Sequence, residues 1–237
     1  MGEQELLIEE RYRGPPDSGN GGYVCGLVAG FLGAPAEVTL RRPPPIGRAL
    51  LVRQLGEGGV ALLDNDEVVA EGLSARVEVE APEAVGFRDA AAATQRYSGF
   101  VLHPFPACFV CGPERAEGDG LRIFPGPVVG RQVVAAPWTP GQTLAGVDGL
   151  VRPEFVWAAL DCPGAFANGF PEITMVLGRL AVQLVRPVEP GTECVVVGWS
   201  EAVEGRKHFA GTALFAADGE LRAVARATWI RVTPSNS

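Results

Sequence analysis

Histidine is nearly absent from this chain, with two among 237 residues. So small a supply leaves little room for a Ser-His-Asp relay. Neither LDCPG (160–164) nor GWSEA (198–202) is a nucleophile elbow, which requires glycine at both ends. There is no block of lysine and arginine, and the formal net charge is −8 at pH 7. A nucleic-acid partner calls for a basic stripe, so none is expected. No apolar stretch is long enough to span a bilayer, and no membrane partner is expected. No Walker loop occurs, and GNGGYVCG breaks the dinucleotide fingerprint because Val24 stands where its third glycine belongs. The first residues, MGEQELLIEERYRG, are acidic and amphipathic, unlike a secretory signal. They open Met-Gly, but Leu6 stands where a myristoylation site wants Ser or Thr. Five scattered cysteines, an odd number, complete a reading of reduced thiols and a cytoplasmic location.

What is present is a globular composition. Hydrophobic residues make up 47% and charged residues 20%, and the 31 glycines and 20 prolines punctuate apolar runs, which predicts many short elements joined by turns. The chain also repeats itself. Residues 36–50, AEVTLRRPPPIGRAL, resemble residues 180–194, LAVQLVRPVEPGTEC, with Arg42 matching Arg186 and Gly47 matching Gly191, both 144 apart (186 − 42 and 191 − 47). DNDEVVAEGLSARVEV (64–79) resembles ADGELRAVARATWIRV (217–232), with Ala70 matching Ala223, 153 apart. The nine-residue difference falls in a hairpin, WSEAVEGRKHF, where insertions cost little.

Period-2 alternation predicts strands at about 36–41, 48–54, 59–64 and 67–80 in the first half. The second half predicts them at about 174–186, 192–203, 206–217 and 220–232. One apolar, Ala/Gly-rich segment precedes each meander and reads as a helix: GGYVCGLVAGFL (21–32) and PEFVWAALDCPGAF (153–166). Pro153 suits a first helical position. Neither half shows a second helix to cover its sheet, so each sheet is expected to curl round one helix and bury it on nearly all sides. Gly26, Ala29 and Gly30 would let neighbouring backbone come close.

The pattern resembles the hotdog fold, and in particular the double-hotdog acyl-CoA thioesterases. The second half carries the better local match, to the phenylacetate-pathway type. Its motifs are CFVCGPERAEGDGLRIF (108–124), VVGRQVVAAPW (128–138) and GLVRPEFVWAALDCPGAFA (149–167). The resemblance implies an α+β fold of two tandem hotdogs, each a long antiparallel sheet wrapped round one central helix, together a pseudo-dimer. The N-terminal hotdog would be residues 1–98 and the C-terminal one 99–237, with 99–120 a Cys-containing linker.

In that family His-Gly-Gly precedes the helix, and an acid follows seven positions after the second glycine. Here Arg152-Pro153-Glu154 stands in the second half's glycine position, and Asp161 falls at the acid's place. Aligning Tyr23 with Phe155 puts Asn20-Gly21-Gly22 on the first half's glycine loop and Ala29 at its acid position. Each half lacks what the other keeps, which implies one composite site between the helices.

Thioester hydrolysis needs stabilisation of the carbonyl oxygen and a base or nucleophile. A helix start supplies outward N–H groups, here those of Gly22 and Tyr23, with Gly21 and Gly22 leaving them unobstructed. Asn20 would orient water or the thioester, and Asp161 would be the base or nucleophile. The plainer alternatives are that Asn20 is only an N-cap, that the glycines only permit packing, and that Asp161 merely ends a helix before Cys162-Pro163. Arg206-Lys207 would meet coenzyme A phosphates or be solvated turn charges. Cys108-x-x-Cys111 with His103 nearby invites a metal, but no second Cys/His pair stands at ligand spacing, so neither metal nor cofactor is expected. The expected partners are an acyl-CoA or acyl-carrier thioester and a second copy of the chain, giving a homodimer (a quasi-tetramer of hotdogs). The competing readings are a catalytically silent acyl-CoA or lipid-binding hotdog protein and, last, a hydratase-type enzyme.

Overall fold

Turn residues set the frame. In the computed structural model, which describes residues 4–32 and 35–232, Asn65 (φ 55°), Gly205 (φ 60°) and Gly219 (φ 86°) take left-handed backbone between consecutive antiparallel strands. Met1 and Gly2, considered above for lipidation, lie outside the described residues. The first half runs β1 (Gln4–Leu7), α1 (Gly21–Ala29), β2 (Ala36–Leu40), β3 (Ala49–Gln54), β4 (Val60–Asp64) and β5 (Glu67–Ser74). After α2 (Phe87–Thr94) and β6 (Gly126–Pro127), the second half runs β7 (Val134–Trp138), α3 (Pro153–Ala159), α4 (Cys162–Ala167), β8 (Met175–Leu184), β9 (Cys194–Glu204), β10 (Lys207–Ala216) and β11 (Leu221–Arg231).

The strands form one sheet in the order β1-β3-β4-β5-β2-β8-β11-β10-β9-β7-β6. Read outward from its middle, the two halves have the same order, 2-5-4-3-1 and 8-11-10-9-7. They meet where β2 pairs antiparallel with β8, from Ala36↔Val182 to Thr39↔Arg179. This is the expected tandem hotdog architecture.

The sequence repeat reappears in matched pairings and hydrogen bonds. Leu40 pairs with Ala70 as Leu184 pairs with Ala223. The N–H of Arg42 donates to Val69 O, and that of Arg186 to Arg222 O. Arg42 pairs with Glu67 and Arg186 with Glu220, the glutamates again 153 apart (220 − 67). Both pairs are exposed and add little stability, but they mark the repeat. Gly47 (φ 72°) and Gly191 (φ 85°) take left-handed backbone at matching turns and donate to Ile8 O and Pro140 O.

Inside the sheet α1 and α3 lie antiparallel, in contact along the glycines of α1. A Cβ on Gly26 would come 2.6 Å from Glu154 Cα, and one on Gly22 would come 2.5 Å from Asp161 Cβ. Gly30 has a different task from the one expected, because it caps the end of α1 and faces only its own helix.

Four other expectations change. The helix foreseen over 21–32 ends at Ala29, and the one over 153–166 breaks into α3 and α4. Pro163 lacks an N–H and its ring would strike the carbonyl of Ala159 in a continuous helix, so the backbone leaves helical geometry at Asp161 (ψ −80°). The strand foreseen over 67–80 stops at Ser74. Beyond it comes a helix that was not foreseen: α2 covers the outer face of the second half's strands, with Ala90 buried among Ala135, Val195, Val197 and Phe215. Among the described residues no helix is long and apolar enough to cross a membrane.

Gly26→Ala is expected to lower stability by about 1–3 kcal/mol by forcing the two helices apart. Urea unfolding checks this against Gly56→Ala, whose added methyl meets nothing within 4 Å.

Candidate active site

Asn20 is the N-cap of α1, where its side-chain Oδ1 accepts from the N–H of Tyr23 at 2.9 Å. Its own N–H donates to Tyr12 O, as that of Arg152 donates to Leu144 O, each partner 132 residues along (152 − 20 and 144 − 12). Asn20 and Arg152 are therefore structural counterparts, as aligned from the sequence. Capping uses only one end of the Asn20 amide. The other end, Nδ2, donates to Asp161 Oδ2 at 2.8 Å. The same oxygen accepts the N–H of Gly22 at 2.9 Å.

Asp161 thus reaches across from the second half to the helix start of the first. It occupies the N-cap position of α4 yet makes no capping bond there; its carboxylate turns to α1 instead. It is 2% exposed, and Oδ1 is buried without a partner. Burial pushes its pKa up to about 7; the hydrogen bonds from Gly22 and Asn20 pull downward, and negative charge at Cys108 adds to the rise.

Asn20, Gly21 and Asp161 border a cavity of about 440 Å³. The rest of its wall is largely apolar, with Phe105, Phe166, Phe170, Met175, Leu177 and Trp229. Volume and lining are those of a small-molecule pocket with a few convergent polar groups.

The sequence-derived assignments fare unevenly. Asn20, Gly22 and Asp161 meet. The N–H groups of Gly22 and Tyr23, expected to face a carbonyl oxygen, are instead committed to Asp161 and Asn20. Among the described residues no acceptor is found for the N–H of Gly21, which borders the cavity. Tyr23 stacks on Tyr12 at 4.2 Å between ring centroids and lies 5.7 Å from Phe155, its counterpart in the repeat. Arg206 and Lys207 are exposed at the β9–β10 hairpin and do not border the cavity. Arg41 and Arg42 do border it, each paired with a glutamate, Glu71 and Glu67. The Arg-Arg-Pro-Pro-Pro run was legible only as a landmark of the repeat. In the counterpart position Glu154 pairs with Arg152 at 3.3 Å, and Ala29 stands where Asp161 would be.

All five cysteines are free and buried. Cys108, Cys111 and Cys162 form one cluster at the cavity wall, their sulfurs all within 4.8 Å of one another. Hydrogen bonds from the thiols of Cys111 and Cys162 hold the Cys108 thiol well below the ordinary range. The Cys108-x-x-Cys111 motif therefore has a third cysteine beside it, contrary to the isolated pair read from the sequence.

No protein-family model matches the chain, and no curated protein sequence does. Its structure is similar to that of a tesB protein of Mycobacterium avium subs paratuberculosis, at 14% identity and TM-score 0.64, over 98% of this chain and 93% of that one. It is also similar to an acyl-CoA thioesterase II of Mycobacterium marinum, at 12% identity and TM-score 0.62, over 99% and 94%. A protein of unknown function with hot dog fold from Alicyclobacillus acidocaldarius matches at 11% identity and TM-score 0.53, over 98% and 94%. At such identities the likeness establishes the fold, a double hotdog along the whole chain.

Replacing Asn20 separates its two ends. Asn20→Ala should cost about 1 kcal/mol for the lost cap, plus a further loss from the weakened solvation of a buried carboxylate. Asn20→Ser should recover the cap portion alone, and urea midpoints of the three proteins read the difference.

Proposed function

We propose that the chain hydrolyses an acyl-CoA thioester at the single composite site formed by Asn20, Gly21 and Asp161. The observation that carries this reading is that Asp161, from one hotdog, lies against the helix start of the other at the wall of a largely apolar cavity. The fold it shares with solved proteins named thioesterases agrees with it.

In this reading the acyl group lies along Phe105, Phe166 and Leu177, which exclude water from all but the carbonyl end. Asp161 accepts a proton from water as the water oxygen bonds to the thioester carbon. The carbonyl electrons move onto oxygen, where the N–H of Gly21 and the first-turn dipole of α1 stabilise them. When the carbonyl re-forms, the C–S bond breaks and the sulfur leaves with the proton that Asp161 held. Arg41 and Arg42, at the cavity's edge, replace Arg206 and Lys207 as the groups nearest a coenzyme A phosphate.

A second reading, a silent acyl-CoA-binding protein, is favoured by the commitment of the Gly22 and Tyr23 N–H groups within the protein. Turnover decides between them. With a panel of short, medium and aromatic acyl-CoA substrates, free coenzyme A should accumulate by chromatography, and Asp161→Asn should cut the rate about 10²–10⁴-fold with substrate binding retained. Saturable binding with no release by the wild-type protein would establish the silent reading instead.

A further inference from the structure

The cluster of Cys108, Cys111 and Cys162 is too ordered for incidental packing. The first two come from the linker between the halves and the third from the start of α4, so two separate segments deliver three sulfurs to one point. Cys108 and Cys162 stand 4.0 Å apart at sulfur. Tetrahedral ligands at a zinc–sulfur distance of about 2.3 Å are about 3.8 Å from each other, so little movement separates this pair from a ligand pair. A disulfide, by contrast, needs about 2.05 Å.

The surroundings suit thiolates. Asn20 Nδ2 lies 3.8 Å from the Cys108 sulfur. The turn that arranges this is compact: Gly112 N–H donates to Cys108 O at 2.9 Å, and a Cβ on Gly112 would come 2.5 Å from Cys108 backbone atoms. His103 Nε2 lies 3.4 Å from the Cys111 sulfur. Its Nδ1 accepts the N–H of Phe105 at 3.0 Å, so Nε2 carries the ring proton and donates to sulfur. His103 therefore supports a thiolate and is not itself a ligand.

We propose that Cys108, Cys111 and Cys162 are a three-thiolate site for one Zn²⁺ ion, with the fourth coordination position open toward the cavity. All three residues border that cavity, and three protein ligands with one vacant position is the arrangement of zinc sites that bind an exchangeable group. Loading releases to solvent the protons that the cluster's thiols still hold and leaves three thiolates on the ion, a net charge of −1 on the ion and its sulfurs. The inference is independent of hydrolysis, because it concerns binding of a metal.

The test is the metal content of the intact chain. After purification and passage through a metal-free desalting column, wild-type protein should hold about one zinc per chain by elemental mass spectrometry. Cys108→Ser, Cys111→Ser and Cys162→Ser should each fall at least about tenfold, while Cys194→Ser, altered at a buried cysteine outside the cluster, keeps the metal. Should the cluster variants fail to fold, wild-type protein loaded with Co²⁺ gives the answer alone, through thiolate-to-cobalt charge transfer and the intense visible bands of a tetrahedral ion. A wild-type chain that retains no zinc and gives only the weak spectrum of hydrated cobalt would overturn the proposal. So would equal zinc in all variants, or a Cys108–Cys162 disulfide in freshly prepared protein.

Discussion

Direct contact between α1 and α3 at Gly22 and Gly26 is the constraint on which the rest depends. Helices bearing ordinary side chains stand 8–10 Å apart, and a methyl on either glycine would already collide. Only this approach lets a carboxylate on the far end of one helix accept the N–H of Gly22 in the first turn of the other. The sheet follows from it, since a strand layer curved round two touching helices must be continuous across them, and β2 and β8 supply that continuity.

The close approach also explains an electrostatic asymmetry. A buried carboxylate with one oxygen accepting two hydrogen bonds and the other without a partner is costly. The counterpart position has settled into neutrality: Ala29 replaces the acid, and Glu154 finds Arg152 within 3.3 Å. In the proposed function, the costly group stands on the side that faces a cavity, where a catalytic carboxylate is needed.

Much of this was legible in the residues. Period-2 alternation located the strands of both meanders, and the matched pairs Arg42/Arg186, Gly47/Gly191 and Ala70/Ala223 fell on equivalent turns and registers. Pro163 announced a break whose site is Asp161. The rest was hidden for definite reasons. The helix α2 is eight residues, FRDAAAAT, between irregular segments, too short to show a period. Which N–H groups stay free at a helix start depends on a side chain 139 positions away, as with Gly22 and Asp161. Cys162 lies 51 residues beyond Cys111 (162 − 111), so no ligand spacing could connect them; α4 does so in space.

The join between β2 and β8 has a consequence for dilution. A site divided between two separate chains dissolves when those chains part, and its occupancy falls with protein concentration. Here Asn20, Gly22 and Asp161 belong to one molecule, so their meeting is an intramolecular event with a fixed effective concentration. The meeting of these three residues is therefore as complete at trace levels as in concentrated solution.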